Sequence, residues 1–420
     1  MFQQNGLSLD QAPPILVVFR LFLMASIFGI FAGLEILYYQ NDIFNPSSTG
    51  AITLTHTLTL GVMASFMLGA LFQMLPVIAG VVLDSPLKRS LLIQIPFFFG
   101  IVSLLLAFNL SEINFLYPLA SILLLSSLFG AIFIMLYRLL KVSNHSPSSR
   151  GMVISLILFG VTIMLALYMI SSLMGYIDGV YYLEIKNLHI HFGLFGWIGL
   201  LIFSIAFQVI EMFFVTPKYP NVARDYFAYL ILALLITSSI YPIVNIALYI
   251  SIIAFAILTL YRLSQKKRPL SDATIWFWRL GLVSIILAMA LSIIYIYTPQ
   301  LIILNTISIL FTSFALSVVF SMFYKIVPFL TWFHLNSQGY FTAPMMHEVI
   351  HPKTAKKHFW IHLSSIISLI ISIFIPNIIF LSGVLVSISF IWVSYQIIYA
   401  YRLYIKTQKS GEKFDFNVAG

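Results

Sequence analysis

The chain has 420 residues, of which 61% are hydrophobic and only 8% charged, a balance that excludes an ordinary soluble domain because several stretches exceed the roughly 18 to 20 apolar residues that cross a bilayer. Its net charge of +9 is carried by short loops, so nothing in it supports nucleic-acid binding. The absence of cysteine excludes disulfides, iron–sulfur clusters and a thiolate copper centre within the chain.

In chain order, the apolar runs predict twelve spans, at about 15–39, 54–83, 91–109, 115–140, 151–175, 187–215, 226–241, 243–263, 273–297, 300–333, 358–375 and 377–404. Within 226–263 only Tyr241 and Pro242 mark a turn. The expected fold is all-α, a polytopic membrane protein in one integral membrane domain over 1–420. Lys and Arg collect in DSPLKRS, YRLLKVSNHSPSSR, TPKYPNVARD, YRLSQKKRPLSD, HPKTAKK and YRLYIKTQKSGEK. These are alternate loops, which places both termini in the cytoplasm and the chain in a bacterial-type inner membrane. The opposite loops carry Lys186 against Asp42, Glu112, Asp178 and Glu184. The opening MFQQNGLSLDQAPP lacks a basic n-region and leads into a full-length apolar run, so no cleavable signal is expected.

Three of these spans share a frame. His56 and His191 each head an apolar run, with Gly61 and Gly196 five residues on and Gln73 and Gln208 seventeen residues on. In the tenth span Ser308 takes the place of the histidine, followed by Ser313 and Lys325. Position thirteen reads Gly69, Ser204 and Ser321, and position twenty reads Pro76, Glu211 and Pro328. Frames in spans two, six and ten imply three pseudo-repeated four-helix arcs, over about 1–140, 141–263 and 264–420. On an unbroken α-helix positions five and thirteen lie about 140° and 220° from the first, so a small face for close packing points away from the histidine.

By this topology His56 and His191 lie near the non-cytoplasmic end of the membrane. Gln73, Gln208, Glu211 and Lys325 lie about 25 Å lower, where they form a polar path for protons or ions or a satisfied polar plug. An imidazole is costly to bury without a partner, and when neutral it is a good ligand for heme iron or copper. His189, two residues before His191, lies about 200° around the helix, so the two do not share one site.

Three other groups stand out. HEVIH at 347–351 matches the pattern in which His347 and His351, one helical turn apart, hold zinc; Pro344 and Pro352 leave barely two turns of helix, and His334 or His358 is a candidate third ligand. The alternative is a solvated polar loop. His358 and His362 share a face at the head of span eleven and, beside Trp360, read as interfacial. Glu35, near the outer end of span one, has no role that the sequence decides.

The three apolar arcs, with histidines at the outer ends of spans two and six, resemble subunit I of the heme–copper oxidases. His56, Gly61, Gly69, Pro76 and Gly80 resemble more closely the His-x4-Gly-x7-Gly-x6-Pro-x3-Gly run of the NnrS-like branch. The resemblance implies heme, with His56 as axial ligand and His189 or His191 as a second ligand or a metal contact, copper as a further cofactor, a small gaseous ligand such as nitric oxide, and an external electron donor or respiratory subunit. The chain departs from the oxidase pattern: span seven has no histidine, span ten offers Asn305, Thr306 and Ser308, and Phe195 stands where a tyrosine follows the span-six histidine. A standard oxygen reductase is therefore not encoded. The rivals to a heme-dependent oxidoreductase are a secondary transporter using the polar path, and a non-catalytic membrane subunit or assembly factor of a respiratory complex.

Overall fold

A computed structural model describes residues 13–81, 84–267, 272–410 and 413. The opening segment MFQQNGLSLDQA and parts of YRLSQKKRPLSD and of the C-terminal tail lie outside the described residues. Within them the chain is helical, with no strand and a single isolated bridge between Tyr340 and Lys413.

Helix α1 covers Ile15–Tyr39. Helix α2 is continuous but changes character, being α-helical over Thr49–His56, π-helical over Thr57–Ala64 and α-helical again over Ser65–Ala79. Next come α3 (Pro86–Asn109), α4 (Leu116–Leu139) and α5 (Pro147–Leu173). Helix α6 repeats the mixed form, α-helical over Tyr182–His191, π-helical over Phe192–Gly199 and α-helical over Leu200–Phe214. The chain continues through α7 (Asn221–Ile240), α8 (Asn245–Ser264), α9 (Ala273–Tyr297), α10 (Leu301–Ser337), α11 (Pro352–Ser372) and α12 (Ile379–Ser410). Helices α7 and α8 part at Tyr241 and Pro242, where the missing proline N–H ends the ladder.

Eleven of these helices are long and apolar enough to cross a membrane. Helix α11, on the expected eleventh span, is long enough at 21 residues but more polar than these eleven, since it carries Lys353, Lys356, Lys357, His358 and His362 among several serines. Large apolar side chains stand outward on the spans, as at Leu92, Ile122 and Phe133. Such a surface suits hydrocarbon, not water.

Contacts group the chain into two compact units. One holds Gln73–Leu270 and Gly281–Ala315, the other Pro13–Phe72, Ser271–Leu280 and Leu316–Gly420. In the second, α1 packs on α12 along a seam of small residues. A Cβ added at Gly29 would lie 2.2 Å from the Phe390 ring, and one at Gly33 would lie 2.2 Å from Ser387 Oγ and 2.8 Å from the Gly383 carbonyl oxygen. Apolar helices in lipid gain little from burying apolar area against each other, so close backbone approach is what holds such a seam. Ser394 Oγ adds a 2.8 Å hydrogen bond to Ser26 Oγ. In the first unit α3 packs on α4 and α5 on α6. Its core is aromatic: Phe203, Phe207, Phe227 and Phe255 lie with ring centroids 4.7 to 6.0 Å apart.

Candidate functional site

The heads of the three frames are built alike. His56 Nδ1 lies 2.8 Å from the Ile52 carbonyl oxygen, one turn back on its own helix. His191 Nδ1 lies 2.9 Å from the Asn187 carbonyl oxygen, again four residues back. Ser308 Oγ donates to the Leu304 carbonyl at 3.0 Å, so the third frame keeps the anchor and lacks the ring. A carbonyl oxygen only accepts, which puts the imidazole hydrogen on Nδ1 and the lone pair on Nε2. That is the tautomer in which a metal-binding histidine is held by its surroundings. His189 takes it too, with Nδ1 3.0 Å from the Thr162 carbonyl oxygen on α5. His189 and His191 therefore turn to different partners, as their spacing requires.

Directly after His56 and after His191 the helix becomes π-helical for eight residues. Helix α10 stays α-helical through the corresponding stretch. Bonding from i to i+5 widens the turn, and π segments, which are rare, are found frequently at functional sites. Gly61 and Gly196 sit inside the two π segments, where a residue without Cβ weakens the α form; Ser313 takes their place in α10. The 140° and 220° offsets assume an unbroken α-helix and do not survive a π segment, since each residue absorbed shifts the phase by about 100°.

The small face itself survives. Gly61 and Gly69 lie against Phe28 and Phe22 of α1. Gly196 lies against Leu158 of α5, and Ser204 presses on Gly151 of α5 while accepting from Ser148 Oγ at its carbonyl, 2.8 Å away. Ser313 shares a 2.8 Å hydrogen bond with Ser284 of α9, and Ser321 Oγ donates to the Thr274 carbonyl of α9 at 2.8 Å. In each frame, positions five and thirteen pack on the helix that precedes it in the chain, α1, α5 and α9 respectively.

Beside the first π segment, Thr57 Oγ1 donates to Glu35 Oε1 at 2.7 Å. Glu35 Oε2 is buried without a hydrogen-bond partner among the described residues. A carboxyl group thus stands one residue beyond His56, which the sequence left without a role.

At the lower level each polar residue has its own setting. Gln73 is buried, with Oε1 unpartnered among the described residues, and Gln208 is half-buried. Glu211 accepts the Tyr219 backbone N–H at 2.7 Å, and the buried Tyr219 hydroxyl donates to Thr259 Oγ1 at 3.1 Å. Burial first, and then the Glu211 charge, push the Tyr219 phenol above its ordinary range against the Thr259 bond. Lys325 Nζ reaches Asp272 Oδ2 at 2.5 Å. Burial raises the Asp272 carboxyl, but the Lys325 ammonium and the bonds from Lys325 and Thr274 outweigh it and hold the group below the usual carboxylate value. Lys325 is held by an acid at the head of α9.

The HEVIH segment forms a single helical turn, Met346–Val349, not the nearly two that its prolines allow. Ile350 is extended, so His347 and His351 do not stand one turn apart on a helix. Glu348 Oε2 accepts the Met345 backbone N–H at 2.8 Å, and His351 Nδ1 accepts the Lys353 N–H at 3.1 Å as the cap of α11. The two polar members thereby satisfy open backbone donors. His334 lies near the C-terminal end of α10 with Nε2 buried and unpartnered among the described residues.

His358 and His362, expected to flank the span beside Trp360, are packed inside the helices, at 0% and 2% exposed. His358 Nε2 lies 2.7 Å from Ser389 Oγ of α12, and His362 Nε2 lies 2.9 Å from Ser317 Oγ of α10. Phe320 covers both, with ring centroids 4.7 and 5.0 Å away, and Phe277 flanks them at 5.6 and 5.8 Å. His358 Nδ1 is buried without a partner among the described residues, so this ring is anchored through Nε2, the reverse of the frame histidines. The signal available in the sequence was the continuation of the same polar face at Ser365, Ser368 and Ser372, all buried.

The donor chemistry at the frame heads suits a heme. A porphyrin brings four nitrogens of its own and asks the chain for an imidazole with the other ring nitrogen fixed, an anchor that His56 and His191 have on their own helices and His189 has on α5. No protein-family model matches the chain, and no curated protein is similar to it.

Proposed function

We propose that this membrane protein binds heme through His56 and acts in small-gas redox chemistry, with nitric oxide as the favoured ligand class and copper as a secondary cofactor. The observation that carries this reading is the one shared by α2 and α6: a histidine with Nδ1 fixed to its own helix, followed at once by a π segment. When bound, heme supplies an iron that takes a diatomic ligand and one electron at a time. The chain's part is to fix the imidazole plane by the Ile52 carbonyl, seat α2 on α1 by Gly61 and Gly69, and hold a carboxyl at Glu35 one residue from the ligand, where a proton can be stored or passed. Electrons come from an external donor or a respiratory subunit, the cytoplasmic membrane being the setting this function asks for.

The π segments also favour a second reading. A transporter needs helices that depart from regular α geometry near its pathway, a feature that the sequence, without an unwound Gly/Pro break near midspan, does not announce. Purification in mild detergent, with oxidised and dithionite-reduced spectra and metal analysis on one sample, separates the two. A Soret band that shifts on reduction and on addition of nitric oxide is the result expected. Cofactor-free protein that drives ion-coupled uptake in liposomes would place the transporter first.

A further inference from the structure

The frame heads repeat more than a residue type. In α2 and in α6 the ring is anchored through the same nitrogen to the carbonyl four residues back, the π segment begins at the next residue and lasts equally long, and positions five and thirteen pack on the preceding span of the arc. All these parts for His56 lie in the unit that holds α1, and all those for His191 lie in the unit that holds α5. Neither head borrows its anchor, its π segment or its small-residue packing from the other unit. The third head keeps the hydroxyl anchor of Ser308 but has neither a ring nor a π segment. Ring and π segment thus occur together twice and are missing together once, as they should be if the π segment serves the ligand.

Building on the heme reading above, we infer that the chain carries two single-imidazole heme sites, one headed by His56 and one by His191, and none at Ser308. With a single imidazole supplied by the chain, each heme iron would be able to take a small ligand. His189 takes its carbonyl from Thr162 on α5 and not from its own helix, and it lies about 200° around α6 from His191, so it is assigned to bracing α6 against α5 and not to the second heme.

The test is heme content per polypeptide, measured as the pyridine complex on protein expressed with heme supply ensured, for the wild type and for His56→Ala, His191→Ala and Ser308→Ala. Two hemes in the wild type, one in each histidine variant and two in Ser308→Ala are expected. His191→Gly with added imidazole guards against simple misfolding, because the small ligand should restore the second heme. A single wild-type heme that either histidine substitution removes means one shared heme, and a single heme indifferent to His191→Ala means one site; both overturn the two-site inference while leaving the heme reading intact. No heme at all overturns the function proposed above and this inference with it.

Discussion

At the residue scale, the ring nitrogen that makes the hydrogen bond divides the histidines better than their position in the sequence does. His56 and His191 are fixed through Nδ1, whereas His358 is fixed through Nε2 on Ser389. Replacing His358 by Ala should therefore act on stability alone, through a buried cavity and an abandoned serine. A loss of about 2–4 kcal/mol is expected in detergent melts, with any cofactor content unchanged. The Asp272–Lys325 pair makes a different forecast. Its side chains are 35% and 20% exposed, so solvent screening reduces the cost of breaking it to about 1–2 kcal/mol for Lys325→Met. Because the pair depresses the Asp272 carboxyl, its stabilisation is complete above the ordinary carboxylate value and fades as pH falls through the lower folded value. Melting temperature against pH should drop in acid for the wild type and be flatter there for Lys325→Met. An equal acid slope in both proteins would remove the pair from the account.

At the element scale, glycines with different neighbours predict opposite outcomes. Gly33→Ala puts a Cβ into Ser387 and the backbone of α12, and should cost about 1–3 kcal/mol. Gly160→Ala on α5 meets nothing nearer than 3.8 Å, and should leave stability unchanged or raise it by up to about 1 kcal/mol through helix propensity. Similar losses at both positions would mean that the α1–α12 seam is not what close packing protects. Much of this level was legible beforehand: apolar run length gave the helices, Tyr241 and Pro242 gave the break between α7 and α8, and the spacing of Gly and Ser gave the packing face. The π segments were not legible, because hydrophobic period over eight residues does not separate i+4 from i+5 bonding. The burial of His358 and His362 was hidden for another reason. Their partners, Ser389 and Ser317, lie on other helices, and a sequence does not announce which serine a buried ring will meet.

At the scale of the whole molecule, eleven apolar helices make the bilayer the solvent of this chain, and α11 is the exception that has to be explained. Its polar face is tolerated because protein, not lipid, surrounds it: His358, His362, Ser365, Ser368 and Ser372 are all buried. Removing both Ser389 and Ser317 hydroxyls, as Ser389→Ala with Ser317→Ala, should loosen α11 and speed amide hydrogen exchange there ahead of the other helices; unchanged protection of α11 would assign its retention to apolar packing alone. The functional claim is of the same scale, since it holds that a repeated helix head, not a cluster of side chains in one loop, is what the fold is arranged to present. The most direct measurement is the dithionite-reduced optical spectrum of the wild type beside His56→Ala and His358→Ala, prepared identically with heme supplied. A Soret band in the wild type, retained in full in His358→Ala and diminished by the share of one heme in His56→Ala, is the predicted result. A wild type without heme, or a band that His56→Ala leaves untouched and His358→Ala abolishes, would contradict it.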